Sequence, residues 1–189
     1  MKHKKKEPNL DLPFAQYLWT VIMFAQAGNL WTKAVEKSIK SANITVSQFV
    51  ALQALFFNKK PMSPTHISRL LPIEVHSVTP MIDKLYKSEL VTRRRSKTSR
   101  RSVDINITEK GKELLYELGP SINELFQSVF GKLSIKDRAE LERIIRQVSD
   151  STADYLGANK QHLDENARIL AGLAVFKPKK NAQSVESTE

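Results

Sequence analysis

A dense run of cations lies between Arg93 and Arg101 and contains no acidic residue. Its members are Arg93, Arg94, Arg95, Lys97, Arg100 and Arg101. The wider segment from Lys59 to Lys112 holds thirteen Lys or Arg against five Asp or Glu, a net charge of +8, and so carries most of the chain's formal +10. Nucleic acid is the commonest polyanionic partner of such a surface, and an anionic membrane is the second. The run is therefore predicted to bind phosphates, and a solvated loop without a partner is the simpler alternative.

Shorter polar side chains before this run could read the edges of bases. Ser77, Thr79 and Pro80 lie in the N-terminal half of a predicted helix, on the side opposite its apolar residues. Hydroxyl groups can bond bases or phosphates, and Pro80 can contact a thymine methyl group. In the alternative interpretation, Ser77 is a plain helix cap and Pro80 only shifts the start of the helix. Further candidates for phosphate contact are His76, Lys84, Lys87, Ser63, Thr65 and His66, and Ser63 could instead be a cap.

Several other kinds of chemistry are not expected. There is no cysteine, which excludes disulfides, thiolate metal sites and a redox-sensing thiol. The four histidines lack metal-ligand spacing, and no glycine-rich phosphate loop or nucleophile elbow is present. We therefore expect no catalytic residues, cofactor or metal. No apolar run approaches the ~20 residues of a membrane helix, and no signal peptide is recognisable, so a soluble cytoplasmic protein without membrane contact is expected.

Apolar residues recur at helical spacing in four stretches before the cationic run. The first stretch is so long that one chain would struggle to bury its whole apolar stripe, which suggests contact with another subunit. Thr45 or Ser47 can cap the second helix. Ser63 can cap the third, where Pro64 follows at the position that proline tolerates best. The predicted helices cover about residues 11–42, 46–58, 64–71 and 75–88.

The period changes after the fourth helix. Residues 90–93 and 102–107 alternate between apolar and polar, which predicts two short strands joined by the cationic loop. Thr108 can cap a following helix, in which Gly119-Pro120 should cause a kink. The chain is then expected to form a helix from a capping box at Ser134 to about residue 156, and a weak helix near 163–174.

Three short helices followed by a two-stranded hairpin are the arrangement of a winged helix. Five pieces of the stretch Ile44–Leu115 carry a family resemblance, namely TVSQF at 45–49, HSVT at 76–79, IDKL at 82–85, LV at 90–91 and ITEKG at 107–111. Together they resemble the winged helix-turn-helix core of the multiple-antibiotic-resistance regulator (MarR) family of transcriptional regulators. With the flanking helices, the resemblance covers about residues 11–156.

The resemblance implies a homodimer whose terminal helices intertwine, and whose winged lobes enter successive major grooves of a near-palindromic operator in double-stranded DNA. Many members are repressors released by small phenolic ligands, so a small-molecule effector is expected between the dimer region and the winged lobe. The expected fold is mainly α with a small β-hairpin, a winged helix-turn-helix core flanked by long N- and C-terminal dimerisation helices. The expected segments are a basic flexible tail (1–10), an N-terminal dimerisation helix (11–42), a DNA-binding lobe (43–112), C-terminal dimerisation helices (113–175) and a disordered tail (176–189).

Two positions depart from the family pattern. Ser99 stands where members usually carry an Asp, two residues before the deep-reaching arginine, here Arg101. Arg101 is still expected in the minor groove, but on a wing tip that is mobile until it meets DNA. Glu89 stands where glycine commonly separates the recognition helix from the wing, so this helix must end without glycine's easy left-handed conformation.

Three aromatic residues could line the effector pocket, namely Trp19, Phe24 and Trp31, although aromatic residues at helical spacing more often belong to a core or a dimer interface. The sequence thus predicts a sequence-specific DNA-binding transcriptional regulator that acts as a repressor and is not an enzyme. The alternative is a winged-helix module that binds protein or RNA without operator specificity.

Overall fold

The computed structural model describes residues 12–58, 60–71, 73–96 and 103–157. The mainly α fold with one antiparallel hairpin confirms the fold class predicted from the sequence. The expected tails and the weak helix near 163–174 lie outside the described residues. The elements are α1 (Leu12–Ser38), a short 3-10 helix (Lys40–Ala42), α2 (Val46–Asn58), α3 (Pro64–Leu70), α4 (Val75–Lys87), β1 (Val91–Arg95), β2 (Val103–Ile107), α5 (Glu109–Phe130) and α6 (Ile135–Tyr155).

Side-chain caps explain where several helices begin. At the start of α2 the Thr45 hydroxyl accepts a hydrogen bond from the Gln48 N–H at 3.2 Å, and the Gln48 side chain accepts one from the Thr45 N–H at 2.9 Å. Ser63 and Thr108 each accept from the third residue of the helix that follows. The capping box predicted at Ser134 opens α6. Each cap satisfies a backbone donor that the helix itself cannot, which stabilises it by about 1 kcal/mol.

The hairpin is fastened to the helices before it. β1 and β2 pair antiparallel, with Val91 opposite Ile107 and Arg95 opposite Val103. Met62, which lies between α2 and α3, exchanges backbone hydrogen bonds of 3.0 and 2.9 Å with Ile105 of β2. This bridge fixes the base of the hairpin, so the strands leave the helical unit in a defined direction.

One apolar core joins α2, α3, α4, the hairpin and the first half of α5. Its members below 2% exposure include Leu52, Met62, Ile67, Ile82 and Ile105. Burying a side chain of this size contributes about 1.5–3 kcal/mol. The core therefore holds α4 and the hairpin in a fixed relation to each other.

The first and last helices are mostly exposed along their length. α1 contains one buried residue, Val35, and Ile39 is buried just beyond its end. α6 buries only Ala153. Residues 12–32 contain no charged side chain, yet the described apolar side chains of this stretch lie largely in solvent. The large ones at least 49% exposed include Leu18, Trp19, Val21, Phe24 and Leu30.

One helix boundary differs from the sequence predictions. α1 ends at Ser38, and the 3-10 helix takes up the residues to Ala42, so the first predicted helix was too long. α5 continues through Gly119 and Pro120, as predicted for a single helix, and the kink expected there stays a prediction. In the described parts of the chain, we find no helix with the length and apolar character needed to cross a bilayer.

Candidate nucleic-acid interface

α4 turns one row of side chains into the core and another toward solvent. Its buried row is Val78, Met81, Ile82 and Leu85. Residues three and four apart share a helix face, so positions 76, 80 and 87 form the middle of the outer side. The sequence-predicted residues on α4 are all exposed: His76, Ser77, Thr79, Pro80, Lys84 and Lys87.

Two alternative interpretations of this helix are wrong. Glu74 occupies the N-cap, so Ser77 is not the cap and is a residue of the first turn. The helix begins at Val75, which places Pro80 inside it and not at its start. Proline has no N–H, so the bond that residue 80 would make to the carbonyl of His76 is missing.

α3 brings three further candidates to the side that leads into α4. The Ser63 hydroxyl accepts from the His66 N–H at 3.2 Å, which confirms the capping alternative and leaves its own O–H as a donor. Thr65 is exposed. His66 is half-buried, and its Nε2 atom is shielded from solvent. Of the three, Thr65 is the most accessible to a phosphate.

The strands of the wing present their arginines unequally. Arg94 and Arg95 are exposed, and Arg94 stands opposite Asp104 in the strand register. Arg93 is half-buried. The remaining cations of the run, Lys97, Arg100 and Arg101, lie outside the described residues together with Ser99. Their roles, and the expected mobility of the tip, stay predictions.

Arg93 is fastened to the outer flank of α4. Its Nη1 atom forms an ion pair with Oδ1 of Asp83, and its Nη2 atom donates to the Thr79 carbonyl at 3.3 Å. The guanidinium also lies 5.7 Å from the centre of the Tyr86 ring, within cation–π range. Although Ser99 supplies no carboxylate near the tip of the wing, the Asp83 carboxylate holds an arginine at its base. Sequence reasoning missed Asp83 and Tyr86. Thr79, Asp83 and Tyr86 are four and then three residues apart, a spacing that places them on one flank of a helix and could have indicated the cluster.

Glu89 follows the C-terminal end of α4 and has a backbone conformation that glycine usually adopts. Its φ is 62°, in the left-handed region. Its carbonyl accepts from the Thr108 hydroxyl at 2.7 Å, and its carboxylate accepts from Lys110 Nζ at 2.8 Å. The hydrogen bond from Lys110, and next its charge, hold the pKa of the Glu89 carboxyl below its usual value. Contacts from the start of α5 therefore replace the conformational freedom that glycine would supply.

Gly111 lets α5 approach the turn that precedes the wing. A Cβ atom at this position would lie 2.3 Å from the carbonyl oxygen of Leu90. That distance is far inside van der Waals contact, so a side chain would force the helix and the turn apart. The glycine of the ITEKG segment therefore has a packing reason.

A cleft of about 730 Å³ lies between α2, α5 and α6. Its wall is apolar and aromatic, with a few polar groups, which is the usual character of a small-molecule pocket. Trp31 packs behind it, with ring centroids 5.5 Å from Phe126 and 5.4 Å from Phe130, two of the lining residues. Trp19 and Phe24 do not line this cleft and are exposed on α1. Other lining residues are Phe49, Gln53, Phe57, Leu115, Ile122, Asn123, Gln127, Arg138 and Glu142.

No candidate metal site is found among the described residues. No three His, Asp or Glu side chains there come together in a group that could hold an ion. The phosphate contacts expected of His66 and His76 stay predictions.

Comparison with known proteins supports the resemblance drawn from the five sequence pieces. Residues 44–103, which run from the start of the helical lobe into β2, match the model of the MarR family. The transcriptional repressor MprA of Escherichia coli (strain K12) is 27% identical over 139 residues, 73% of this chain and 78% of that protein. The regulator MgrA of Staphylococcus aureus is 26% identical over 112 residues, 59% of this chain and 74% of that protein. These relatives are transcriptional regulators and not enzymes.

Solved structures share the fold. A MarR variant from E. coli in complex with operator DNA superposes with a TM-score of 0.65 at 19% identity, covering 73% of this chain and 98% of that one. The organohalide-sensing regulator RdhR with 2,4-dichlorophenol bound superposes with a TM-score of 0.64 at 19% identity, covering 80% of this chain and 89% of that one. The predicted winged helix-turn-helix architecture is confirmed.

Proposed function

We propose, from the premise that residues 44–103 form a domain of the MarR family, that this DNA-binding regulator is a homodimeric repressor of a near-palindromic operator. The observation that carries the proposal is the outer side of α4. It presents Ser77, Pro80 and Lys87 to solvent directly beside a strand with three consecutive arginines. A helix N-terminus with small readers, next to a cationic hairpin, is the geometry of winged-helix recognition of duplex DNA.

The groups along the interface divide into readers and phosphate contacts. Ser77 and Pro80 lie in the N-terminal half of α4, the part that enters the major groove most deeply. Lys84 and Lys87 follow one and two turns later, where the helix passes the backbone. Thr65 on α3 reaches the phosphates on the near side. The wing cations Lys97, Arg100 and Arg101 complete the interface, with Arg101 in the minor groove, where narrow A·T-rich DNA concentrates negative potential.

The homodimer is supported by the two exposed terminal helices. A helix that is apolar on all sides is normally buried, and α1 carries exposed apolar residues around its whole N-terminal half. On α6, Ile144, Ile145 and Val148 are 42–48% exposed. Patches of this extent on a monomer mark interaction sites, and a second copy offers both helices at once.

Sedimentation velocity tests the dimer. Ile144→Arg places a charge in the exposed apolar face of α6 and should shift the protein to monomer at micromolar concentration. Glu113→Arg, at an exposed polar position on α5, is the matched control and should stay dimeric. A wild-type chain that sediments as a monomer at all concentrations would remove the dimer from the proposal.

The cleft between α2, α5 and α6 is the proposed effector site. Four of its thirteen lining residues are Phe, while Gln53, Asn123 and Gln127 supply neutral hydrogen bonds, Arg138 supplies one cation and Glu142 one anion. This combination suits a small aromatic molecule with a hydroxyl or carboxylate group. With 2,4-dichlorophenol as the probe, we expect a rise in Tm and release of bound DNA, both reduced in Asn123→Leu. No change in either measurement rejects phenols of this kind as effectors.

Gel shifts against three competitors test the specific-regulator proposal. The protein is titrated with DNA from upstream of its own gene, with random duplex and with hairpin RNA. Preference for one upstream duplex, with half-sites about one helical turn apart, is expected for a two-fold dimer. Equal affinity for all three would reject operator specificity, and preference for the hairpin would favour an RNA-binding module.

Arg101 tests the role of the wing. Arg101→Ala should weaken DNA binding and flatten the slope of log affinity against log salt by about one per contact, because one phosphate-neutralising cation is lost. An unchanged slope in a folded dimer excludes Arg101 from the interface.

A further inference from the structure

The structure divides the outer side of α4 into an occupied flank and an open one. Thr79, Asp83 and Tyr86 share one flank, and all three contact Arg93 of β1. This flank holds the wing through the Thr79 carbonyl, the Asp83 carboxylate and the Tyr86 ring, and the Thr79 hydroxyl is left to offer a single hydrogen bond. Base reading is therefore left mainly to the middle of the outer side and to the far flank.

Few residues remain for reading in the first two turns. Outside the flank occupied by Arg93, and apart from Val75 at the very start of the helix, the exposed residues in the N-terminal half of α4 are His76, Ser77 and Pro80. The bidentate readers of DNA are Arg or Lys on guanine and Asn or Gln on adenine, and Glu or Asp accepts from cytosine. None of these types stands at those three positions. His76 and Ser77 can offer single hydrogen bonds, which discriminate less between base pairs.

Pro80 stands in the middle of this open side and is costly there. Proline inside a helix forfeits a backbone hydrogen bond and crowds the preceding turn. At this exposed position no contact with the core offsets the cost, because the Pro80 ring faces solvent. What the ring does offer is a rigid apolar surface in the middle of the outer side of α4.

We infer that Pro80 reads the 5-methyl group of thymine, so that each half-site of the operator carries a thymine opposite the middle of α4. The inference rests on the proposed function, because it requires α4 to lie in the major groove. The 5-methyl group is the one apolar feature that a base pair displays there. Lys84 and Lys87 then hold the backbone beyond it. Recognition by this helix is thereby built on shape and methyl contact more than on hydrogen-bond patterns.

A test can remove the methyl group without changing base pairing. Preferred duplexes are first selected from a random library with the wild-type protein. Each thymine of a half-site is then replaced by deoxyuridine, which pairs like thymine but lacks the methyl group. One such replacement should weaken wild-type binding about fourfold, and the symmetric pair of replacements about fifteenfold, the effect of about one buried methyl-sized group per half-site.

Two variants separate the contact from general damage. Pro80→Ala should bind thymine and deoxyuridine duplexes equally, and its Tm should rise because the helix regains an N–H. Val75→Ala, which trims another exposed apolar residue of the same helix, should keep the full methyl effect. Wild-type protein that ignores every deoxyuridine replacement, or Pro80→Ala that keeps the discrimination, overturns the inference while leaving the regulator intact. A selection that yields no preferred duplex overturns the proposed function, and the inference with it.

Discussion

Replacing Asp83 with Asn should loosen the wing and, at the same time, strengthen indiscriminate DNA binding. Asn keeps the size of the side chain but removes the charge that pairs with Arg93. The guanidinium would keep the Thr79 carbonyl and the Tyr86 ring as neutral partners. An arginine without its carboxylate can turn toward a phosphate, so the variant gains a cation at the interface. The position of the wing relative to α4 also becomes less fixed.

The magnitude follows from the exposure of the pair. The side chains of Arg93 and Asp83 are 28% and 45% exposed, so solvent screens them, and the pair should contribute about 0.5–1 kcal/mol to the free energy of unfolding. Arg93→Gln also removes the contact with the ring of Tyr86 and should cost about 1–2 kcal/mol. On DNA, one added phosphate contact in Asp83→Asn should steepen the salt slope by about 0.9 per subunit.

Two measurements check these values. Urea unfolding of both single variants and the double variant gives the coupling energy of the pair through a double-mutant cycle. Titration of duplex DNA at several salt concentrations gives the slope. Glu140→Gln is the matched control, because it also frees an arginine from a carboxylate, but on α6. A coupling energy near zero, or a slope that steepens equally in the control, would refute the reasoning that Asp83 holds Arg93 away from DNA.

Three further changes test the turn and the caps. Glu89→Gly should raise Tm by about 2–4 °C in a thermal melt, since glycine adopts a φ of 62° without strain; a lower Tm would mean that the contact with Lys110 matters more. Lys110→Met should raise the pKa of Glu89 in an NMR titration. Because that pKa is lowered in the folded protein, the pair's stabilisation is present above the ordinary glutamate pKa and is lost as pH falls through the lowered value, and the variant should lack this acid-side loss. Thr45→Ala should cost about 1 kcal/mol in urea unfolding, whereas Ser47→Ala should cost almost nothing.

The fold prediction depended mainly on the spacing of apolar residues. This spacing is visible in the sequence because each helix or strand must turn its apolar side chains toward the core. In α4, the residues predicted to be inward are the buried ones, since a helix with one apolar stripe has one way to face a core. The caps at Ser63 and Thr108 were equally readable, because a cap needs only the residue and the backbone three positions on. The end of α1 was misjudged because apolar spacing continues past Ser38, where Ile39 is buried at the N-cap of the 3-10 helix, four residues after the buried Val35.

Contacts between elements were not readable in the same way. Arg93 was predicted as a DNA contact from its charge, but its partners lie on α4, and their meeting depends on the angle at which β1 leaves the turn. Glu89 can stand where glycine was expected because hydrogen bonds from Thr108 and Lys110, at the start of α5, stabilise its left-handed backbone conformation. Trp31 meets Phe126 and Phe130 only after α1 packs on α5, so its place behind the cleft could not be read from helical spacing.

The uncharged, exposed stretch of α1 from residue 12 to residue 32 also affects the folding of the newly made chain. Translation produces α1 before α5 and α6. Its apolar side chains therefore stay exposed until the rest of the chain is made and, on the dimer proposal, until a second chain binds. Until then they offer a surface to chaperones and to the proteases that remove unassembled subunits. On the dimer proposal, chains below the concentration at which they pair should be removed faster than they assemble. The amount of active protein should then rise more steeply than its rate of synthesis, which would sharpen the response of any gene it controls.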